Sequence, residues 1–418
     1  MSPASGPVRH ACALALAVAP LPALSSVPDY APPQLQARSN LIANDNGWNL
    51  PPGSSFNSIT ASINDSGEVA FPVQIVPIDG DLSNTAPGVW FGANGSGGIV
   101  ALVDNEGIAD RVAINALGEL AWYSFGSSYV LHRYDAVNGA SMVSTTPYFP
   151  NAIGGVSLND SGEIGWRGSF AGGRAFISTA GSGSVLHVAE TGLDPGSPYA
   201  FLYTPSMNAG RIMAGKVNVG STTPVEIRRF AANGSSERVV ADVLLDPGSP
   251  FDRFDNSLAL TDSGSVAVVV RLASGAVRAI YRFDPDAGGT IATEIARVEP
   301  AGTIREIDSF APAINDDGLV VFRARDAIGQ AIYAGDGSAL VRVVGLGSAV
   351  DTDLGPGRIG QHDSSPIFSG APTLNAHGDI AFIAALHPDG NNTIEWGSGV
   401  FVARAGGTDG IFSDGFDG

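Results

Sequence analysis

Four carboxylates, two histidines and two tryptophans sit where loops could present them to a ligand. Asp351, Asp353, His362 and Asp363 fall in the glycine-rich stretch 345–370, His387, Glu395 and Trp396 in 386–398, and Trp48 near the N-terminus. Aromatic faces stack on sugar rings or peptide side chains, and acids accept hydrogen bonds from hydroxyls. These eight are therefore the candidate binding residues for a glycan or a protein partner. The same acids would serve a glycan hydrolase or lyase if two of them, or a histidine and an acid, converged on one bond. Spacing alone does not bring them together, so no catalytic residue is assigned and the chain reads as a binding protein first, with a structural cell-surface or matrix component and a glycan hydrolase or lyase as the alternatives.

Other chemistries lack their residues. The histidines His132, His187, His362, His377 and His387 form no H-E-x-x-H or other close metal spacing. There is no nucleophile elbow, no phosphate loop and no D-x-D-x-D-G run. Cys12 is the only cysteine, which removes disulfides and thiolate sites from the rest of the chain. No metal and no cofactor are expected. A formal charge of −19 repels phosphate backbones and disfavours nucleic acid as a partner.

The elements that must hold these residues come from a repeat. Ile63–Phe71 reads INDSGEVAF, and its relatives are INALGELAW from Ile114, LNDSGEIGW from Leu158, MNAGRIMAG from Met207, LTDSGSVAV from Leu260, INDDGLVVF from Ile314 and LNAHGDIAF from Leu374. Asn-x-x-Gly between apolar runs is hairpin chemistry, with glycine at the positive-φ position. A period of about fifty residues suits four strands, one propeller blade. The fourth copy reads as one residue short and the fifth replaces Asn with Thr261, so local distortion is expected in blades 4 and 5. A small residue stands two positions before each Asn or Thr, from Ser62 to Thr373, as crowding around an axis requires.

The copies are offset from the chain ends. The last stops after a third strand, Gly399–Ala403, while the stretch from Ala37 to Asn44 resembles an orphan fourth strand. In a ring, the orphan completes the last blade and removes a free edge. The expected fold is all-β: a seven-bladed β-propeller closed by an N-terminal strand. Residues 1–25 read as a secretory signal peptide, 26–36 as a proline-rich lead-in, 37–405 as the propeller and 406–418 as an acidic tail. A secreted or cell-envelope location follows, with no transmembrane segment and a monomeric state.

The repeat resembles the bacterial exported tandem-repeat proteins that carry an NxxGxVAF motif. That resemblance implies export and varied surface anchoring, and it implies no activity. The tail DGIFSDGFD from Asp409 is similar to a short C-terminal sorting signature of secreted Gram-negative proteins. In a propeller, the motif turns occupy one face. The loops from second to third strands, and from each blade to the next, share the other face, where they should be long and varied. Loops on a rigid scaffold are where binding usually resides. The seven motif residues Asn64, Asn115, Asn159, Asn208, Thr261, Asn315 and Asn375 are read as turn formers. Asp65, Asp160, Asp262 and Asp316, one per turn, are not expected to converge on calcium.

Overall fold

The computed structural model describes residues 27–40, 47–55, 59–76, 85–103, 107–181, 183–362 and 366–406. The expected leader, and all of the acidic tail beyond Gly406, lie outside them, as does Asp363.

Each motif copy opens one antiparallel sheet. Blade 3 runs Ala152–Leu158, Ile164–Phe170, Gly173–Ala180 and Gly183–Ala189 from the axis outward. In blades 1, 2, 4 and 6 the innermost strand is broken into two short pieces, such as Gly107–Ile108 and Ala113–Ile114 in blade 2. The second strands are apolar on both faces because both faces meet neighbouring sheets. Phe71, Trp122, Trp166, Phe322 and Phe382 occupy the same repeat position and are fully enclosed. Blade 4 has Gly215 there. The ring of Phe176, from blade 3, lies where the missing side chain would stand.

Closure is visible in the cores. Seven sheets are joined by seven apolar clusters among the described residues, each shared by two adjacent blades. An open stack of seven sheets has six interfaces, so the seventh closes the ring. It lies between blades 7 and 1, where Ala381, Ile383, Val400 and Val402 pack on Ile63, Val69 and Phe71. The N-terminal strand Gln34–Ser39 completes blade 7 by antiparallel pairing with Gly397–Ala403, Leu35 opposite Phe401 and Arg38 opposite Gly399. This strand starts at Gln34, earlier than expected from sequence. Pro32 and Pro33 have no N–H to give to a ladder; they separate this strand from an isolated bridge of Tyr30 with Ala405.

The motif turns correct two further expectations. The fourth copy is not short. Arg211 donates its N–H to the carbonyl of Asn208, as Gly67 does to Asn64, and Arg211 adopts φ +60° in place of glycine. The register is kept because Gly210 and Arg211 have exchanged roles. The Thr261 turn is undistorted as well. Its Oγ1 accepts the Ser265 N–H at 2.9 Å, the bond that Asn Oδ1 accepts in the other copies.

What Thr261 lacks is the amide nitrogen. Each asparagine Nδ2 donates to a backbone carbonyl in the next blade's turn: Asn64 to Asn115, Asn115 to Asn159 and, across the seam, Asn375 to Asn64, each at 3.0 Å. Aspartates supply a second set of links. Asp65 accepts from the Ala376 N–H, Asp160 from Ala116, Asp262 from Ala209 and Asp316 from Ser263. Between blades 5 and 6 only the aspartate link is made. Thr261→Asn should therefore add a donor and raise stability by about 0.5–1.5 kcal/mol. A urea midpoint equal to or below wild type would show that the gap carries no deficit.

Candidate functional site

Hairpin closure places the motif turns around one mouth of an axial channel. Its cavity, about 270 Å³, is lined by the seven motif residues and by Asp65, Asp160, Asp262 and Asp316. Among the described residues no group of acids and histidines is arranged to hold a metal ion. The aspartates' links to neighbouring turns explain their place in the sequence.

On the opposite face the length of the loops comes from the blade-to-blade connections. Second-to-third-strand loops are short in most blades, two residues in blade 3 (171–172) and four in blade 6 (326–329). This departs from the expectation that both loop sets would be long. The longest link lies between Gly345 and Phe368. It forms its own hairpin, Ala349–Thr352 with Gly355–Ile359, which joins the edge of blade 7. Asp351 runs parallel beside Gln34, and Arg358 pairs opposite His387.

Arg38 pins this insert. Its guanidinium is buried and makes two 2.8 Å bonds to the carboxylate of Asp353, with a third to the carbonyl of Trp396. Its backbone exchanges hydrogen bonds with Trp48. Asp353 and the Trp396 carbonyl thus converge on one buried cation, and Trp48 pairs with the backbone of the same residue. The tryptophan rings are half-buried against the core of blades 6 and 7, and that of Trp396 lies over Gly357, where a Cβ would meet it at 2.8 Å. His387 also turns inward, its Nδ1 donating to the carbonyl of Pro388 at 2.8 Å. Asp351 stays exposed on the hairpin.

Two of the candidates face outward together. His362 Nδ1 lies 2.7 Å from Glu395 Oε1, with 54% and 29% of their side chains exposed. Glu395 also lines a recess of about 60 Å³ with Asn40, Gln361 and Ser398. That volume admits about two water-sized groups, enough for a hydroxyl or a side-chain tip. Other loop aromatics divide. Tyr199, Phe254 and Phe368 are buried between blades, whereas Phe149 is 76% exposed. His132 and His187 are held within strands against Ser124 and Ser178, and burial lowers the pKa of each.

Sequence reasoning missed Arg111. It lines a second cavity of the channel, about 230 Å³, on the loop side of the turns. The signal was present in the repeats. Four positions before the motif Asn or Thr stand Thr60, Arg111, Gly155, Thr204, Ser257, Ala311 and Ala371, and a single one of these is charged.

No curated protein matches the chain in sequence. Among solved structures it is similar to a puromycin-hydrolysing peptidase of Mycobacterium tuberculosis, at 12% identity and TM-score 0.50, over 90% of this chain and 54% of that one. It is also similar to TolB from Acinetobacter baumannii (13%, TM-score 0.44, 66% of this chain and 63% of that one) and to the Dos1 propeller (13%, 0.44, 84% and 93%). The chain spans under two thirds of the length of the peptidase and of TolB. At these identities the likeness extends to the propeller fold alone. Residues 158–417, well over half of the sequence, match a family of unknown function, DUF7453, and the chain belongs to that family.

Proposed function

We propose that this chain is an exported, non-catalytic propeller that recognises a glycan, peptide or surface partner through the long-loop face of blade 7. The observation that carries this reading is the pinned insert. Among the described residues no other blade bears such a hairpin, and the chain just after it brings His362 against Glu395 of the 389–396 loop, beside a polar recess. Loops made rigid by a scaffold bind without a large ordering cost. Arg38 supplies that rigidity here. The recess takes only the edge of a ligand, which suits recognition of one unit on a larger surface. Asp353 is engaged by Arg38 and so supplies no free carboxylate opposite Glu395. Export rests on the leader composition of residues 1–25 and on the likeness to NxxGxVAF repeat proteins.

The test is sedimentation of the full chain with insoluble bacterial and plant polysaccharides, with soluble sugar assayed in parallel. At least one polysaccharide should carry the protein into the pellet without releasing sugar. H362A/E395Q should weaken that binding about tenfold, the value of one or two charge-assisted contacts. Sugar release abolished by E395Q would replace recognition with a hydrolase or lyase. Undiminished binding by the double variant would remove blade 7 from the role.

A further inference from the structure

The axial channel contains two chambers that share one girdle. Ile63, Ile114, Leu158, Met207, Leu260, Ile314 and Leu374 line both. On the turn side the walls are asparagines and aspartates. On the loop side they are small and neutral, with hydroxyls from Ser62, Ser157 and Ser206, while Thr373 Oγ1 donates to the Ala61 carbonyl, and the single charge among them is Arg111.

Arg111 reaches this place through a break in the innermost strand of blade 2. Bonding to the second strand runs to Ala109, whose N–H donates to the Tyr123 carbonyl, and resumes at Ala113; between them the backbone bonds sideways, Thr60 N–H to the Asp110 carbonyl at 2.8 Å. Asp110 faces the groove between blades 1 and 2, away from the channel. Arg111 faces inward. It lies deep among the blades yet is exposed, because what it is exposed to is the channel. Its Nε donates to Ser62 Oγ at 3.1 Å, and among the described residues no carboxylate lies within ion-pairing distance of its guanidinium. Among the described residues sixteen other arginines form ion pairs; Arg111, like Arg167, Arg253 and Arg305, does not, and of these four it is the one that lines the acid-free chamber.

We infer that the loop-side chamber is a binding site for a small oxyanion, a carboxylate or phosphate group held by the Arg111 guanidinium and the wall hydroxyls. A guanidinium presents parallel N–H groups that match two oxygens of such an anion. With Nε on Ser62, the two terminal nitrogens remain to do so. The chamber has room for about eight water-sized groups, which suits a free metabolite-sized anion or the acidic end of a longer ligand. The acidic turns stand beyond the girdle, in the other chamber, where Asp65, Asp160, Asp262 and Asp316 each accept a backbone N–H of a neighbouring turn, so the attraction at the site comes from Arg111.

The probes are inorganic phosphate and succinate, each titrated against the full chain by calorimetry at low and moderate chloride. Wild type should bind at least one of them. R111A should weaken binding about tenfold or more, and R111K should fall between, since an ammonium lacks the paired donors. R325A, which removes an exposed arginine of blade 6 paired with Glu306, should bind as wild type does. Succinate alone would identify a carboxylate site and phosphate alone a phosphate site. Equal affinity of wild type and R111A, or no binding of either anion, would overturn the inference. H362A/E395Q should leave anion binding unchanged, so failure of the blade 7 reading and failure of this one are separable.

Discussion

Arg38→Met should destabilise the protein by about 3–5 kcal/mol, the cost of leaving one partner of a buried ion pair alone. Arg38 is 1% exposed in its side chain and Asp353 12%, so neither water nor salt replaces the lost bonds. The same residue pairs with Gly399 and Trp48 through its backbone, so the damage falls on the strand that closes the ring. Urea unfolding would measure the loss, and limited proteolysis should cut the 349–359 hairpin sooner in the variant. Adding Asp353→Leu should recover most of the stability, because an apolar pair carries no desolvation penalty. A single variant within 1 kcal/mol of wild type would mean that blade 7 closes by backbone pairing alone. The blade 7 face should lose polysaccharide binding with its hairpin, even though Arg38 touches no ligand.

The second large effect is on acid stability. Burial acts to raise the pKa of Asp326, but the N–H groups of Gly329 and Ile328, the Arg342 guanidinium and the Tyr333 hydroxyl prevail and bring it to about 2. The unfolded value is about 3.9, so the folded state favours the charged form. Its contribution is therefore complete above about pH 4 and is lost as the pH falls towards 2. A shift of that size corresponds to about 2.5 kcal/mol, most of it lost between pH 5 and pH 2. The stability difference between wild type and Asp326→Asn should shrink by about 2 kcal/mol between pH 5 and pH 2, followed by urea unfolding at each pH. A difference independent of pH would place the stabilisation in the shape of the 326–329 turn and not in the charge.

The repeat was legible because its turn chemistry is local. Asn64 and Gly67 satisfy each other's backbone within four residues, and that bond recurs wherever the pattern recurs. Closure was legible from the offset of one strand between the chain ends. The fourth turn was misread because glycine was taken as the marker of positive φ, and Arg211 carries that conformation instead. Gly215 was unreadable for a different reason: the ring that fills its place comes from blade 3. The loop candidates were only half legible. Glycine and proline showed where the loops lie, and nothing local told His362, which faces solvent, from His387, which turns beneath Gly360.

By itself, then, the sequence determined the all-β class, the number of blades and the manner of closure, because these follow from periodicity and from turns that are satisfied within a few residues. Only the tertiary structure decided which charged groups are engaged. Arg38 and Asp353 stand 315 positions apart and share two hydrogen bonds, while Arg111 reaches the channel and, among the described residues, pairs with no acid. Long-range pairing of charge depends on which surfaces the closed ring brings together, and no local pattern encodes it.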